Sequence, residues 1–174
     1  MADFPVCHEW TMDFEDPHRT FEPTPDACPS GCTATHCFAL AGINSGEFSE
    51  QYGRIVALPV QERPEAVSAF YQGTFWNANL AAIISNEIAK RVYDSGVNQG
   101  PGNATKFLQR AINSLYHEPM VNVDGGLGPI TVKQANLADP VALVAAFKAF
   151  RLAGYKQDAG WATSGAGWKI RAEA

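Results

Sequence analysis

The chain contains 174 residues, with 13 lysine and arginine residues against 18 aspartate and glutamate residues, and its formal net charge is −5. Hydrophobic residues make up 46% and charged residues 18%, which is typical of one globular domain and excludes disordered and collagen-like chains. Nine acidic residues and one basic residue lie within residues 1–50, so we expect no nucleic-acid partner.

The hydropathy pattern contains neither a membrane span nor a secretion signal. No run of 18 apolar residues occurs, so we expect no transmembrane helix. The start, Met1-Ala2-Asp3, lacks the basic and hydrophobic regions of a signal peptide. We therefore expect synthesis in the cytoplasm, and any action outside it requires release or export by another route.

The first predicted helix begins near Asp3 and ends before Pro17. Pro5 suits its first turn, apolar residues recur every four positions along it, and a helix stops before a proline. Residues 17–47 are rich in proline and glycine and predict a long loop, with an extended piece around residues 38–43. A loop of this length is often functional.

Helical periodicity dominates the rest of the chain. Proline residues stand where three of the later helices begin, a position that proline favours. The fold class is therefore mainly α, with one long irregular N-terminal loop and at most a small hairpin. The later helices are predicted over residues 48–58, 64–76, 80–96, 104–115, 129–136 and 140–154.

Glu15 is the first candidate for acid–base chemistry. It falls in the last turn of the first predicted helix, where unpaired carbonyls carry partial negative charge, and Asp13 and Asp16 flank it. Aromatic neighbours such as Phe14 exclude water. Each effect favours the protonated carboxylic acid, which is the form that protonates a glycosidic oxygen. The plainer alternative is a solvated glutamate at a helix end.

Asp26 is the second candidate. It follows Pro25 in the long loop, and glycoside hydrolysis commonly pairs two carboxyl groups. The alternative is an aspartate that stabilises a turn of this loop through its side chain.

The long loop also holds Cys28, Cys32 and Cys37, with His36 adjacent. Their spacing differs from the two-residue spacing that is common in zinc sites. Three alternatives remain open: a disulfide, a structural zinc site made of these four residues, and free thiols. A cross-link of either kind stabilises the loop, and we expect no cofactor to be required for catalysis.

Polar and aromatic residues around the helix predicted over residues 80–96 are candidates for binding a sugar. Asp94 and Asn98 lie where this helix gives way to a glycine-containing turn, and the alternative role is helix capping. Trp76 and Tyr93 have rings that stack on sugars, although aromatic residues at helical spacing are usually part of the core.

Several segments occur in an order that resembles a known family. They are Phe14-Glu15-Asp16, Pro25-Asp26, Ala41-Gly42-Ile43-Asn44, Phe75-Trp76, Val97-Asn98-Gln99-Gly100, Leu108-Gln109-Arg110-Ala111, the segment 123–131 and Gly167-Trp168-Lys169-Ile170-Arg171. This order resembles the glycosyl hydrolase 108 family of N-acetylmuramidases, whose C-terminal half is classed as a predicted peptidoglycan-binding region. The resemblance covers most of residues 10–171 and is strongest over residues 94–131.

The resemblance implies a lysozyme-like helical fold, with a catalytic region at residues 1–93 and a peptidoglycan-binding-like region at residues 94–174, packed as one unit. It implies hydrolysis of the β-1,4 bond between N-acetylmuramic acid and N-acetylglucosamine in peptidoglycan strands, with Glu15 as the proton donor. Family members occur as phage endolysins and as bacterial secretion-associated muramidases, and we expect a monomer. The residues expected to bind substrate are Asn44, Trp76, Tyr93, Asp94 and Asn98.

Two features depart from the family pattern. Glu15-Asp16-Pro17-His18 stands where the family has Glu-Gly-Gly-Tyr, and residues 27–37 form a cysteine-containing insertion in place of a Gly-Gly loop. Both changes fall beside the expected active site. The alternative function is therefore a non-catalytic peptidoglycan-binding protein that retains the fold.

Overall fold

The computed structural model describes residues 1–174, and the chain is mainly helical, which confirms the predicted fold class. The helices are α1 (Phe4–Glu15), α2 (Ser49–Val56), α3 (Arg63–Phe75), α4 (Ala78–Ala81), α5 (Asn86–Gln99), α6 (Pro101–Ser114), α7 (Pro129–Leu137), α8 (Pro140–Lys156) and α9 (Trp161–Glu173), with a 3₁₀ turn at Val60–Glu62. The strands are β1 (Thr24–Asp26), β2 (Cys37–Leu40) and β3 (Ile43–Asn44). None of the helices combines the length and the apolar character needed to cross a membrane.

The chain divides into two compact units. The helical unit contains Met1–Cys7 and Phe75–Ala174, and the sheet-containing unit contains His8–Thr74. This division falls elsewhere than the boundary predicted between residues 93 and 94, which lies inside α5. Each unit is described separately below.

The core of the helical unit forms around α6. Leu108 and Ile112 of α6 and Leu143 of α8 are fully buried, as the helical spacing of apolar residues predicts. The start of α8 follows the expected chemistry: Pro140 occupies its first turn, and the Asp139 carboxylate accepts the backbone N–H of residue 142 at 2.8 Å.

One buried glutamine organises the turn before α7. The Gln109 side-chain nitrogen donates to the Asp124 carboxylate at 2.7 Å, to the Gly126 carbonyl at 3.1 Å and to the Thr131 hydroxyl at 3.4 Å. Its side-chain oxygen accepts the Gly125 N–H at 2.9 Å. These hydrogen bonds hold the turn at residues 124–126 and the start of α7 against α6.

The sheet-containing unit is built on a small antiparallel sheet of strand order β1-β2-β3. Leu40 pairs with Ile43, so the extended piece predicted at residues 38–43 is a tight hairpin. The sequence analysis missed β1, because a three-residue strand in a proline-rich loop is defined by its pairing with β2 and has little pattern of its own.

Arg63 fixes the loop that follows α1. Its side chain is buried, and its guanidinium donates to the backbone carbonyls of Phe21, Val56 and Leu58 at 2.9–3.1 Å. It also pairs with the Glu22 carboxylate at 3.1 Å. One cation thus satisfies three carbonyls, one in the loop after α1 and two at the end of α2.

Candidate functional site

Glu15 is the last residue of α1 and is half-buried. Arg19 binds the same helix end, where its Nη1 donates to the carbonyl oxygens of Met12 at 2.8 Å and of Asp16 at 2.7 Å. Its Nη2 donates to the Asp13 carboxylate at 2.8 Å. A cation that the sequence analysis did not place here therefore lies against both the helix-end carbonyls and Asp13.

Asp16 is buried and shapes the loop after α1. Its carboxylate accepts the backbone N–H of Thr20 at 3.1 Å and of Phe21 at 2.8 Å. Arg19 and Phe21 adopt positive φ angles of 50° and 49°, a conformation that costs about 1–2 kcal/mol for a residue with a Cβ. The loop beside Glu15 is thus strained, and the Asp16 hydrogen bonds hold it in place.

Two side-chain groups converge at Gly42. A Cβ atom built at this residue would lie 2.6 Å from the Tyr71 hydroxyl oxygen and 2.9 Å from Cδ of Glu15, and the Glu15 Oε2 atom is also in contact with that position. The Glu15 carboxylate and the Tyr71 hydroxyl therefore face the same backbone atom. Only a residue without a side chain fits between them.

The turn that carries Gly42 is itself strained. Ala41 and Gly42 have φ angles of 47° and 78°, so this two-residue hairpin has the positive φ values at both central positions that define a type I′ turn. Ala41 pays a steric cost in this conformation because it has a Cβ. The Tyr71 hydroxyl donates to the Ala41 carbonyl at 2.8 Å and so fixes the turn against α3. Strain of this kind clusters at functional sites.

His8 completes the surroundings of Tyr71. It is 8% exposed, and its ring centroid lies 5.2 Å from that of Tyr71. Burial lowers the pKa of His8 below its ordinary value; the negative charge of Glu9 partly opposes this effect, and the positive charge of Arg19 adds to it. The His8 ring is therefore neutral at pH 7.

Asp26 is exposed and lies at the end of β1. Its Oδ2 accepts the side-chain N–H of Asn44 at 2.7 Å, and its Oδ1 accepts the Ala27 N–H at 2.8 Å. Asn44 is buried, its amide also donates to the Ala27 carbonyl at 2.9 Å, and its Oδ1 accepts the Gly46 N–H at 2.8 Å. Asn44 therefore orients Asp26 and has no amide hydrogen left for the substrate-binding role predicted for it.

The two aromatic candidates pack against each other in the helical unit. Tyr93 is 1% exposed, and its ring meets those of Phe4 and Trp76 edge to face, with centroids 5.9 Å and 5.7 Å apart. Trp76 is half-buried. The buried ring of Tyr93 is not available for stacking on a sugar, contrary to the prediction, whereas part of Trp76 remains accessible.

Asp94 is fully buried in an ion-paired cluster of the helical unit. Its Oδ2 lies 2.6 Å from a guanidinium nitrogen of Arg151, and its Oδ1 lies 2.7 Å from one of Arg171. The carboxylate joins α5 to α8 and α9. The geometry does not support the substrate-binding role predicted for Asp94, which instead anchors the last two helices.

Asn98 is exposed at the rim of a cavity of about 800 Å³ in the helical unit. The Tyr155 hydroxyl donates to Asn98 Oδ1 at 2.5 Å, and the Tyr155 ring stacks on Trp168 with centroids 5.2 Å apart. Burial raises the pKa of Tyr155, so its hydroxyl stays protonated near neutral pH. Lys106 and Arg110 add positive charge to the wall. Amides, aromatic rings and cations thus share one concave surface.

The sulfur atoms of Cys28, Cys32 and Cys37 all lie within 4.8 Å of one another, close enough to bind a metal ion. Cys28 and Cys37 form a disulfide, and Cys32 is a free thiol. His36 is exposed and lies outside this group. The structure therefore selects the disulfide among the three alternatives for two of the cysteines, and it does not bring together the predicted four-residue zinc site.

The sequence analysis did not assign Tyr71 and Gly42 to the candidate site around Glu15. Tyr71 has the spacing of a buried helical residue, and its hydrogen-bond partner Ala41 lies 30 residues earlier. Gly42 stands inside a segment that the family resemblance includes, which was the one available indication of its importance.

Comparison with known proteins agrees with the helical architecture. No family model matches the chain, and no curated protein matches it. The chain is similar to a solved structure of Brucella abortus SagA, with a TM-score of 0.71 and 19% sequence identity, covering 98% of this chain and 89% of that one. At this level of identity the similarity shows a shared fold.

Proposed function

We propose that this chain is a peptidoglycan hydrolase, an N-acetylmuramidase that cleaves the β-1,4 bond between N-acetylmuramic acid and N-acetylglucosamine. The observation that carries the proposal is the convergence of the Glu15 carboxylate and the Tyr71 hydroxyl on Gly42 in a strained turn. The order of sequence segments that resembles the glycosyl hydrolase 108 family supports it. The similarity to SagA supports the fold on which it depends.

Glu15 is the general acid in this proposal. A glycosidic bond breaks readily when a carboxylic acid protonates the leaving oxygen as positive charge develops on the sugar ring. Glu15 is half-buried at a helix end, which limits its contact with water while leaving one side accessible. Tyr71 fixes the turn that faces the carboxyl group, so the backbone against which the acid packs is held in place.

Asp26 is the second carboxylate. It is exposed to solvent, and hydrogen bonds from Asn44 and from the Ala27 backbone hold its two oxygen atoms. A second carboxylate in this reaction class stabilises the developing positive charge or activates water. Asn44 acts as its positioning residue.

Glycan strands are the proposed partner, and the cavity of the helical unit contributes to binding them. Side-chain amides hydrogen-bond sugar hydroxyl groups, and aromatic rings pack against sugar faces. Asn98 and the half-buried Trp168 supply these groups, and Lys106 and Arg110 suit the carboxylates of peptidoglycan. This recognition does not require a positive net charge for the whole chain.

The experiment is digestion of purified peptidoglycan, followed by mass spectrometry of the released fragments after chemical reduction of their new ends. The proposal predicts fragments that end in reduced muramic acid. Ends that carry reduced N-acetylglucosamine would assign cleavage to the other β-1,4 bond of the strand. The absence of released fragments would contradict hydrolysis.

A non-catalytic peptidoglycan-binding protein is the second candidate function. Arg19 places a cation at the helix end beside Glu15, and Pro17 replaces a glycine of the family pattern. The cavity around Asn98 binds glycan in this alternative as well. Sedimentation of the protein with insoluble peptidoglycan, without new reducing ends, would favour this function.

The proposed hydrolysis requires no cofactor, and the cysteine cluster acts as a structural cross-link. Structural zinc sites take four ligands, whereas the disulfide leaves Cys32 as the single free thiol of the cluster. A structural zinc ion would therefore bind only after reduction, when three thiolates become available. Measuring the zinc content of the oxidised and reduced protein tests this, and stoichiometric zinc in the oxidised protein would contradict it.

A further inference from the structure

The loop between β1 and β2 places a free thiol against a disulfide. The Cys32 sulfur lies 4.0 Å from the Cys37 sulfur, which is already bonded to Cys28. The backbone N–H of Ala34 donates to the Cys32 sulfur at 3.4 Å. The thiolate form of a cysteine is the nucleophile in thiol–disulfide exchange.

We propose that Cys32 is an exchange nucleophile that moves the disulfide within this loop. The Cys32 thiolate attacks the sulfur of Cys37, so that the Cys32–Cys37 bond forms while the Cys28–Cys37 bond breaks. Cys28 leaves as a thiolate and takes up a proton. One disulfide is lost and one is formed, so the step needs no oxidant or reductant.

The surroundings of the three sulfurs select Cys37 as the atom attacked. Attack on Cys28 would expel Cys37, which is 2% exposed, and a thiolate is disfavoured in a buried position. Attack on Cys37 expels Cys28, which is half-buried and closer to water. The leaving group is therefore better solvated in the second case.

Gly46 holds the two reacting sulfurs together. A Cβ atom at this residue would lie 2.9 Å from the Cys32 sulfur and 2.9 Å from the Cys37 sulfur. Both sulfurs therefore pack against the same backbone atom, where any side chain would overlap them. The Cys32 sulfur lies beside the Cys28–Cys37 bond, within 4.8 Å of both of its sulfurs, so the Cys32 side chain has to move into line with that bond for the exchange to occur.

The exchange changes how β1 is attached to β2. Asp26 pairs with Cys37 in the sheet, and Cys28 follows Asp26 by two residues. The Cys28–Cys37 bond ties this end of β1 to β2, whereas a Cys32–Cys37 bond leaves the end held by strand pairing and by the Asn44 hydrogen bond. The two disulfide forms therefore differ in how firmly they hold Asp26.

The exchange is tested by mapping the disulfides of the full chain. The protein is equilibrated with a glutathione redox buffer near pH 8, quenched with acid, alkylated with N-ethylmaleimide and digested for mass spectrometry. We expect both the Cys28–Cys37 and the Cys32–Cys37 linkages, with the free thiol shared between residues 28 and 32. Alkylation of Cys32 alone, with Cys28–Cys37 as the sole linkage, would overturn the proposal.

Two variants make the test independent of the equilibrium between the forms. Cys28→Ser should form the Cys32–Cys37 bond, and Cys32→Ser should form Cys28–Cys37 alone. Circular dichroism of both variants establishes that they are folded, and a folded Cys28→Ser protein with two reduced thiols in the loop would also overturn the proposal. This inference does not rest on the proposed function, because its readout is the linkage itself.

Cys7 provides the internal control. It is fully buried, and its burial raises its thiol pKa to about 12. It should therefore remain reduced and unalkylated in the folded protein in every sample. Its appearance in a disulfide would show that the chain had unfolded during the treatment.

Discussion

Glu15 and Gly42 meet at the end of α1, where Cδ of Glu15 lies 2.9 Å from the position that a Cβ atom would take at Gly42. The absence of a side chain at residue 42 is therefore what allows the carboxylate to approach the hairpin backbone. The relationship joins a helix end to a turn, and Tyr71 fixes the turn from α3.

Replacement of Gly42 by alanine should lower the free energy of unfolding by about 2–4 kcal/mol, because the residue has a φ of 78° and the new methyl group overlaps Glu15 and Tyr71. Chemical denaturation measures the change. Gly73→Ala is the matched control, since a Cβ at Gly73 meets nothing within 4 Å and alanine is the better helix former by about 0.5–1 kcal/mol. Equal stability of the two variants would contradict the described contact.

Replacement of Tyr71 by phenylalanine should cost about 1–3 kcal/mol, because it removes the donor to the Ala41 carbonyl and leaves a buried acceptor unpaired. The proposal also predicts a loss of peptidoglycan hydrolysis larger than the loss of stability explains, since the turn facing Glu15 is released. Tyr52→Phe, at a half-buried tyrosine of α2, should change both measurements less. A Tyr71→Phe protein with wild-type activity would remove Tyr71 from the site.

Replacement of Asp94 by asparagine should destabilise the protein by about 3–5 kcal/mol, because it leaves the buried guanidinium groups of Arg151 and Arg171 without their counter-ion. Thermal and chemical unfolding measure this effect. Glu118→Gln, at an exposed position, should stay within about 0.5 kcal/mol of wild type. If Asp94 binds substrate instead, its variant will keep its stability and lose affinity for glycan.

His8 should make the stability depend on pH. Burial lowers its pKa in the folded protein below the ordinary value of 6.5, so the unfolded chain binds more protons between those two values. The stability contribution is therefore complete above pH 6.5 and is lost as the pH falls through the folded-state pKa. In denaturation experiments from pH 8 to pH 5, His8→Gln should lose less stability than wild type. His18→Gln, at an exposed histidine of the same unit, should follow wild type.

Most of the helices could be predicted from the sequence, because the residues that start them and form their buried faces are close together in the chain. Proline residues mark the starts of α7 and α8, and the apolar spacing of α6 identifies its buried face. These features depend on residues within one or two turns of each other. Single-sequence reasoning therefore identified the mainly α class and most of the helices, but it did not predict α4 or α9.

The contacts of the candidate site residues could not be predicted, because their partners are distant in the chain. Asp94 forms ion pairs with Arg151 and Arg171, which lie 57 and 77 positions later in the chain. Because these partners are so distant in the sequence, a buried structural aspartate could not be told apart from an exposed one that binds a ligand. Arg19 lies four residues after Glu15, yet its role follows from a loop with positive φ angles that no residue pattern indicated. The helix-end position identified Glu15, the family resemblance included the segment that contains Gly42, and the structure supplied the contact between them.

The most direct test of the central claim compares Glu15→Gln with wild type and with Glu47→Gln, at an exposed glutamate of the same unit, in the digestion of purified peptidoglycan. A lost general acid reduces turnover by about 10²-fold or more. The account predicts that loss for Glu15→Gln alone, with unchanged circular dichroism and unchanged binding to insoluble peptidoglycan. Wild-type release of muramic-acid ends by Glu15→Gln would contradict it.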